Sequence, residues 1–164
     1  EHLAETYEPD ELSWAIAGRN RQKLDNLSRN LAGTYGEAGD VPVVLANAFD
    51  RPSLDAMADR TAVVCTTVGP YSTFGEDLVA ACVDQQTDYC DLSGELPWIR
   101  RMQEAHHQEA TERGVRIVNC CGFDSIPSDL GTYVLQKRAR REYGAPCRQV
   151  KFVVERLRGD FSGG

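Results

Sequence analysis

The chain has no apolar run approaching the roughly 20 residues that cross a bilayer, and its first residues do not read as a secretory leader. Both absences predict a soluble protein, expected in the cytoplasm. It has no Cys-x-x-Cys pair, which argues against a zinc ribbon or a thioredoxin-type dithiol, and no metal site is expected. Positive charge is in deficit. The 18 Lys and Arg against 25 Asp and Glu give a formal charge of −7, and such a surface repels a polyanion, so sequence-independent nucleic-acid binding is not expected. No two glycines are separated by a single intervening residue, so a G-x-G-x-x-G turn is absent.

What is present suits one globular domain of 164 residues, with 41% hydrophobic and 26% charged positions. The six cysteines (Cys65, Cys82, Cys90, Cys120, Cys121, Cys147) fall mostly in apolar runs and read as reduced, mostly buried thiols. Short apolar runs at Ser13 to Ala17, Val43 to Ala46, Ala62 to Thr67, Asp88 to Leu92 and Val115 to Asn119 alternate with helix-period segments. That alternation predicts α/β class, a doubly wound parallel sheet covered on both faces. Leu24, Leu27 and Leu31 share one helical face, and Pro52 suits the first turn of the next helix. Thr73 with Glu76 fits a capping box. Trp98, Met102 and Ala105 mark a further helix, which Gly114 ends. Gly33, Gly36 and Gly39 follow a helix and read as its stop and a surface loop.

A doubly wound nucleotide-binding sheet opens with a strand and a G-x-G-x-x-G turn. Here Glu1 to Ser13 leaves room before the first run only for a helix tail and a turn. The chain is therefore expected to start about 20 residues into such a fold, going by the size of a βαβ unit. Gln149 to Leu157 reads as a strand entering a second α/β domain, with the boundary at residues 126 and 127.

Chemistry is expected where the strands end. After the first run comes Gly18-Arg19-Asn20. An acidic residue there would bond a ribose 2′-hydroxyl, whereas an arginine accommodates a 2′-phosphate through charge-assisted hydrogen bonds, so NADP is expected over NAD. Asp50 can reach an adenine amino group or cap the following helix. Val68-Gly69-Pro70-Tyr71 would set backbone amides and an aromatic ring beside a nicotinamide. His106 and His107 read as a solvated helix face. Tyr133 and Lys137 match a Tyr-x-x-x-Lys spacing, but Tyr133 shares a stripe with Leu130 and Val134 and is read as packing.

Ala17-Gly18-Arg19-Asn20, Val68-Gly69-Pro70-Tyr71 through Gly75, Tyr89-x-Asp91-Leu92-x-Gly94-Glu95 and Gly122-Phe123-Asp124-Ser125-Ile126-Pro127-Ser128-Asp129-Leu130-Gly131, in this order, resemble the saccharopine-dehydrogenase-like oxidoreductases, a group that includes trans-acting enoyl reductases. The resemblance implies a Rossmann-type NAD(P)-binding domain over residues 1–126 and the start of a substrate and dimerisation domain over 127–164. It implies that Arg19 selects the phosphorylated cofactor, that Val68, Gly69, Pro70 and Tyr71 line the nicotinamide pocket, and that Gly122 to Asp129 form a hinge near the substrate. Saccharopine reductases carry Gly-Leu-Asp-Pro-Gly where this chain has Gly122-Phe123-Asp124-Ser125-Ile126, a departure that points to the enoyl-reductase branch. Expected activity is hydride transfer from NADPH to an enoyl or related unsaturated small molecule, with Tyr71 and Asp124 as candidates for proton transfer. A saccharopine or other amino-acid dehydrogenase is the alternative within enzymes. A non-catalytic scaffold on lipid surfaces is the alternative outside them. Implied partners are a small-molecule substrate, a lipid surface and a second copy joined through the second domain. By itself the chain is expected to be inactive.

Overall fold

Parallel strands cannot be joined by tight turns, so each short strand here is followed by a helical crossover. The structure, a computed structural model, describes residues 1–156. Helix α1 (His2–Thr6) leads into strand β1 (Ile16–Gly18), helix α2 (Arg21–Tyr35), a short 3-10 turn (Gly36–Gly39) and strand β2 (Val43–Leu45). Then come α3 (Arg51–Ala58), β3 (Val63–Thr66), α4 (Tyr71–Phe74), α5 (Glu76–Asp84), β4 (Asp88–Asp91), α6 (Leu96–Arg113), β5 (Ile117–Val118) and α7 (Ile126–Tyr143). The element order is the one expected of an α/β fold.

Among the described residues the strand pairs are parallel and form two sheets, β1-β2 and β3-β4-β5. The registers Gly18↔Leu45 and Thr66↔Asp91 align the carboxyl ends within each sheet. In the strand order 3-2-1-4-5-6 of a doubly wound sheet, β2 and β1 match positions 3 and 2, and β3 to β5 match positions 4 to 6. No described strand takes position 1. Helix α3 bridges the sheets. Arg51 pairs with Asp84 on α5, Leu54 and Ala58 enter the core beside Val64, and Thr87 Oγ1 donates to the Ala58 carbonyl at 2.7 Å.

The core lies on one face of β3-β4-β5. Val64 and Tyr89 point into it and meet Leu78, Val79 and Cys82 of α5 with Trp98, Ile99 and Met102 of α6. The opposite face is not covered among the described residues: Val63 and Val118 are half exposed, at 52% and 51%. This corrects two expectations. The sheet is covered on one face here, and of the six cysteines only Cys82 is buried, because Cys65 and Cys90 are register partners whose side chains alternate away from the core.

Helix details differ in instructive ways. Asn20 caps α2, its Oδ1 accepting from the Lys23 amide at 3.0 Å. Leu31 is buried, but Leu27 is exposed and Leu24 only half buried. Gly36 ends α2 with φ +61°, whereas Gly33 lies inside that helix. Gly39 is buried and not a surface residue, since a Cβ there would sit 2.1 Å from the Leu31 carbonyl oxygen. On α6 the buried stripe is Trp98, Ile99, Met102 and Ala110, while Ala105 is exposed. Gly114 ends the helix in the left-handed conformation, φ +73°. The capping box is not formed. Thr73 lies inside α4, and α5 starts at Glu76 with no side-chain cap. No strand forms over the described part of Gln149 to Leu157, and Leu157 itself lies outside the described residues.

Candidate active site at the carboxyl ends of the strands

The segments that leave β1, β2, β3, β4 and β5 hold the residues that the sequence singles out. Arg19 follows β1, is exposed, and has no carboxylate partner among the described residues. Gly18 meets only the Leu24 side chain, at 3.6 Å or more from a built Cβ, so the strand end is open. Asn20 spends its carboxamide oxygen on the helix cap. Asp50 stands at the N-cap position of α3, but its carboxylate makes no capping bond. Ser53 Oγ instead donates to the Asp50 carbonyl at 2.8 Å. The Asp50 side chain is thus exposed and has no partner among the described residues. Its neighbour Phe49 meets Phe74 edge-on at 5.2 Å, which ties the end of β2 to the loop after β3.

That loop is built from its backbone. The Val68 amide donates to Thr66 Oγ1 at 3.2 Å, and the Gly69–Pro70 peptide is cis. Tyr71 is 1% exposed. Its hydroxyl donates to the Thr66 carbonyl at 3.1 Å and accepts from the Leu92 amide at 3.3 Å. Burial raises this phenol above its ordinary range, while the Leu92 amide opposes the shift. The ring lies 5.5 Å from Trp98, whose indole closes on Gly75 so tightly that a Cβ would come within 2.6 Å of it. Tyr71 therefore anchors the loop from beneath, and Val68, Gly69, Pro70 and Ser72 form its surface. Asp124 is exposed in the turn before α7, with no hydrogen-bond partner among the described residues.

Asp91 and Glu95, quoted from the sequence only as part of the Tyr89 to Glu95 motif, organise these ends together with Cys120. Asp91, fully buried, receives two donors on each oxygen: the Ser93 amide (3.0 Å) and Cys120 amide (3.1 Å) on one, Tyr89 Oη (2.9 Å) and Asn119 Nδ2 (2.8 Å) on the other. Desolvation, reinforced by the Asp91 charge, pushes the Tyr89 phenol far up. Cys120, held by this bond, has φ +61°, uncommon for a residue with a side chain. Glu95 accepts from the amides of Tyr71 at 2.6 Å and Ser72 at 3.0 Å, and its own amide donates to Ser93 Oγ at 3.1 Å. Hydrogen bonding from Ser72, first among the causes, holds its carboxyl below the ordinary range. The signal in the sequence was the Tyr89-x-Asp91-Leu92-x-Gly94-Glu95 motif, in which Tyr89 and Asp91 alternate onto one strand face.

Surface depressions lined by Ala32, Gly36, Glu37 and Asp40, and by Arg21, Asp25, Ser28 and Arg29, lie along α2 and the turn that follows it. They carry no side-chain constellation for chemistry. Among the described residues no group of three His, Cys, Asp or Glu could hold a metal ion, and no helix is long and apolar enough to cross a membrane.

The carboxyl ends of these parallel strands thus carry Arg19, without a carboxylate partner among the described residues, after β1 and a glycine-proline loop after β3. The family model described as the saccharopine dehydrogenase NADP binding domain matches residues 2–118. The chain belongs to this family. It is 48% identical over 124 residues to a Mycobacterium leprae protein named trans-acting enoyl reductase, covering 76% of this chain and 29% of that protein. It is 45% identical over 139 residues to a trans-acting enoyl reductase of Mycobacterium tuberculosis, covering 85% and 32%. The chain thus spans about a third of the length of these curated relatives. Among solved structures, apo saccharopine dehydrogenase from Saccharomyces cerevisiae superposes with a TM-score of 0.67 at 18% identity, over 85% of this chain and 28% of that one. That likeness bears out the Rossmann-type fold. The cofactor of the family is NADP, as the sequence predicted.

Proposed function

We propose that this chain is the cofactor-binding part of an NADP-dependent oxidoreductase that reduces an enoyl or related unsaturated small molecule. The observation that carries the reading is Arg19, exposed at the end of β1 with no carboxylate partner among the described residues. A guanidinium in that position favours a 2′-phosphate, which an acidic residue would repel. Gly18 and Asn20 frame it, and Asp50 offers a free acceptor at the neighbouring strand end for an adenine amino group. Val68, Gly69, Pro70 and the backbone at Tyr71 form the surface on which a nicotinamide would lie. When bound, the cofactor supplies hydride. The protein's part is to hold the ring, exclude water and provide a proton. For that proton Tyr71 and Asp124 are the two candidates: the Tyr71 hydroxyl donates to the Thr66 carbonyl, and Asp124 is exposed with no hydrogen-bond partner among the described residues.

The test uses the full-length protein. Arg19→Ala should weaken NADPH binding about 10- to 100-fold, the worth of a charge-assisted contact, and change NADH binding little. Equal losses for both cofactors would overturn the assignment. NADPH oxidation with enoyl thioesters, but not with imine-forming amino acids, separates the enoyl reading from an amino-acid dehydrogenase. Binding without turnover of either would favour the non-catalytic scaffold. Pairing of two copies through the segment after residue 126, and contact with lipid surfaces, are further proposals, read by sedimentation and liposome flotation.

A further inference from the structure

Glu95 stands at the N-cap position of the 18-residue helix α6, yet its carboxylate makes no capping bond to that helix. It reaches across to a different strand end and takes two successive amides, Tyr71 at 2.6 Å and Ser72 at 3.0 Å, 24 and 23 residues away in sequence. Its own position is fixed from behind. The Glu95 amide is held by Ser93 Oγ, and Ser93, fully buried, is held through its amide by Asp91. Asp91 in turn receives Asn119 and the Cys120 amide from the end of β5. One line of hydrogen bonds therefore runs from β5 through β4 to the loop after β3.

We propose that Glu95 is a positioning residue that sets the Val68–Pro70 backbone for the nicotinamide end of the cofactor by clamping the amides of Tyr71 and Ser72. The proposal rests on the reading of that loop as the nicotinamide surface. Two donors on one carboxylate fix both translation and rotation of the peptide that follows Pro70, which a single neutral bond would not do. It also follows that the amides of Tyr71 and Ser72 are not available to a ligand anion. Nothing in the clamp touches the adenosine end, so its loss leaves the choice between NADPH and NADH unchanged.

The experiment compares full-length wild type, Glu95→Ala and Glu95→Gln. In hydrogen-exchange mass spectrometry, peptides spanning residues 67–74 should exchange tenfold or more faster in Glu95→Ala, while peptides spanning residues 85–92 keep wild-type protection and show that the fold is intact. KM for NADPH should rise about tenfold and turnover fall, with the NADPH-to-NADH preference retained. Glu95→Gln keeps one acceptor oxygen but turns its NH2 toward the second amide, so it should lose one of the two bonds and fall between wild type and Glu95→Ala in both measurements. Unchanged exchange at 67–74 overturns the clamp. A lost cofactor preference, or a KM and turnover left unchanged in Glu95→Ala although exchange at 67–74 is faster, overturns its positioning role. If wild type shows no preference for NADPH, the functional reading fails and the role toward the cofactor with it, whereas the exchange measurement still decides the clamp.

Discussion

Asp91 shows how much one side chain can hold at this edge of the sheet. Four donors converge on it without exposure to water, and each would be left unsatisfied by truncation at about 1–3 kcal/mol. Asp91→Ala should therefore lower the unfolding free energy in urea by about 3 kcal/mol or more, and a loss below ~1 kcal/mol would mean that water replaces the carboxylate without difficulty. Thiol reactivity follows burial. Cys82, whose thiol desolvation pushes up to about 12, should resist iodoacetamide at pH 8 until the chain unfolds, whereas the exposed Cys65 and Cys147 should be alkylated in the native state. Glu95 has a depressed folded value, so its contribution is complete above its ordinary value of 4.5 and is lost as pH falls through the lowered one. Protection at Tyr71 and Ser72, corrected for intrinsic exchange, should stay level down to about pH 5 and decline at lower pH; a decline that starts near neutrality would point to another group. Arg19, Asp50 and Val68 to Tyr71 were legible in the sequence because a strand end is a local feature. The roles of Asp91 and Glu95 were not, because Asn119 and Cys120 lie 28 and 29 residues from Asp91, Tyr71 and Ser72 lie 24 and 23 from Glu95, and only the fold unites them.

At the scale of elements, the start of α4 and α5 is where local pattern and tertiary contact part company. Thr73 and Glu76 satisfy a capping pattern, but the chain at Thr73 is already helical, and the cap comes from Glu95 in another connection. Gly75 joins the two short helices where Trp98 leaves no space, its Cζ2 only 2.6 Å from a built Cβ. Gly75→Ala should cost about 1–3 kcal/mol by overpacking, read as a lowered urea midpoint, and a neutral result would show that the Trp98 indole can withdraw. Strand order of appearance and helix placement were readable from alternating apolar runs. Helix faces were less so: Leu27 and Ala105 fit the period but face water, since the stripe that is buried depends on where the sheet lies.

Over the whole molecule, burial is uneven. The face carrying Val64 and Tyr89 is closed by α3, α5 and α6, while Leu130, Tyr133 and Val134 of α7 stand 53%, 60% and 60% exposed. The stripe read as packing is thus uncovered among the described residues, and Leu130→Gln with Val134→Gln should change stability by no more than about 0.5 kcal/mol each. β1 pairs on one side with β2 and β3 on one side with β4. Each of the two sheets therefore ends on both sides in backbone amides and carbonyls that no described strand satisfies, beside side chains such as Val63. Unsatisfied ladders of this kind recruit strands from other molecules. Concentrated solutions of the 164-residue chain should therefore scatter light increasingly with time, and Val63→Lys, which places a charge on that edge, should slow the growth. The handling of this polypeptide at the bench would then be governed by its sheet margins more than by its core.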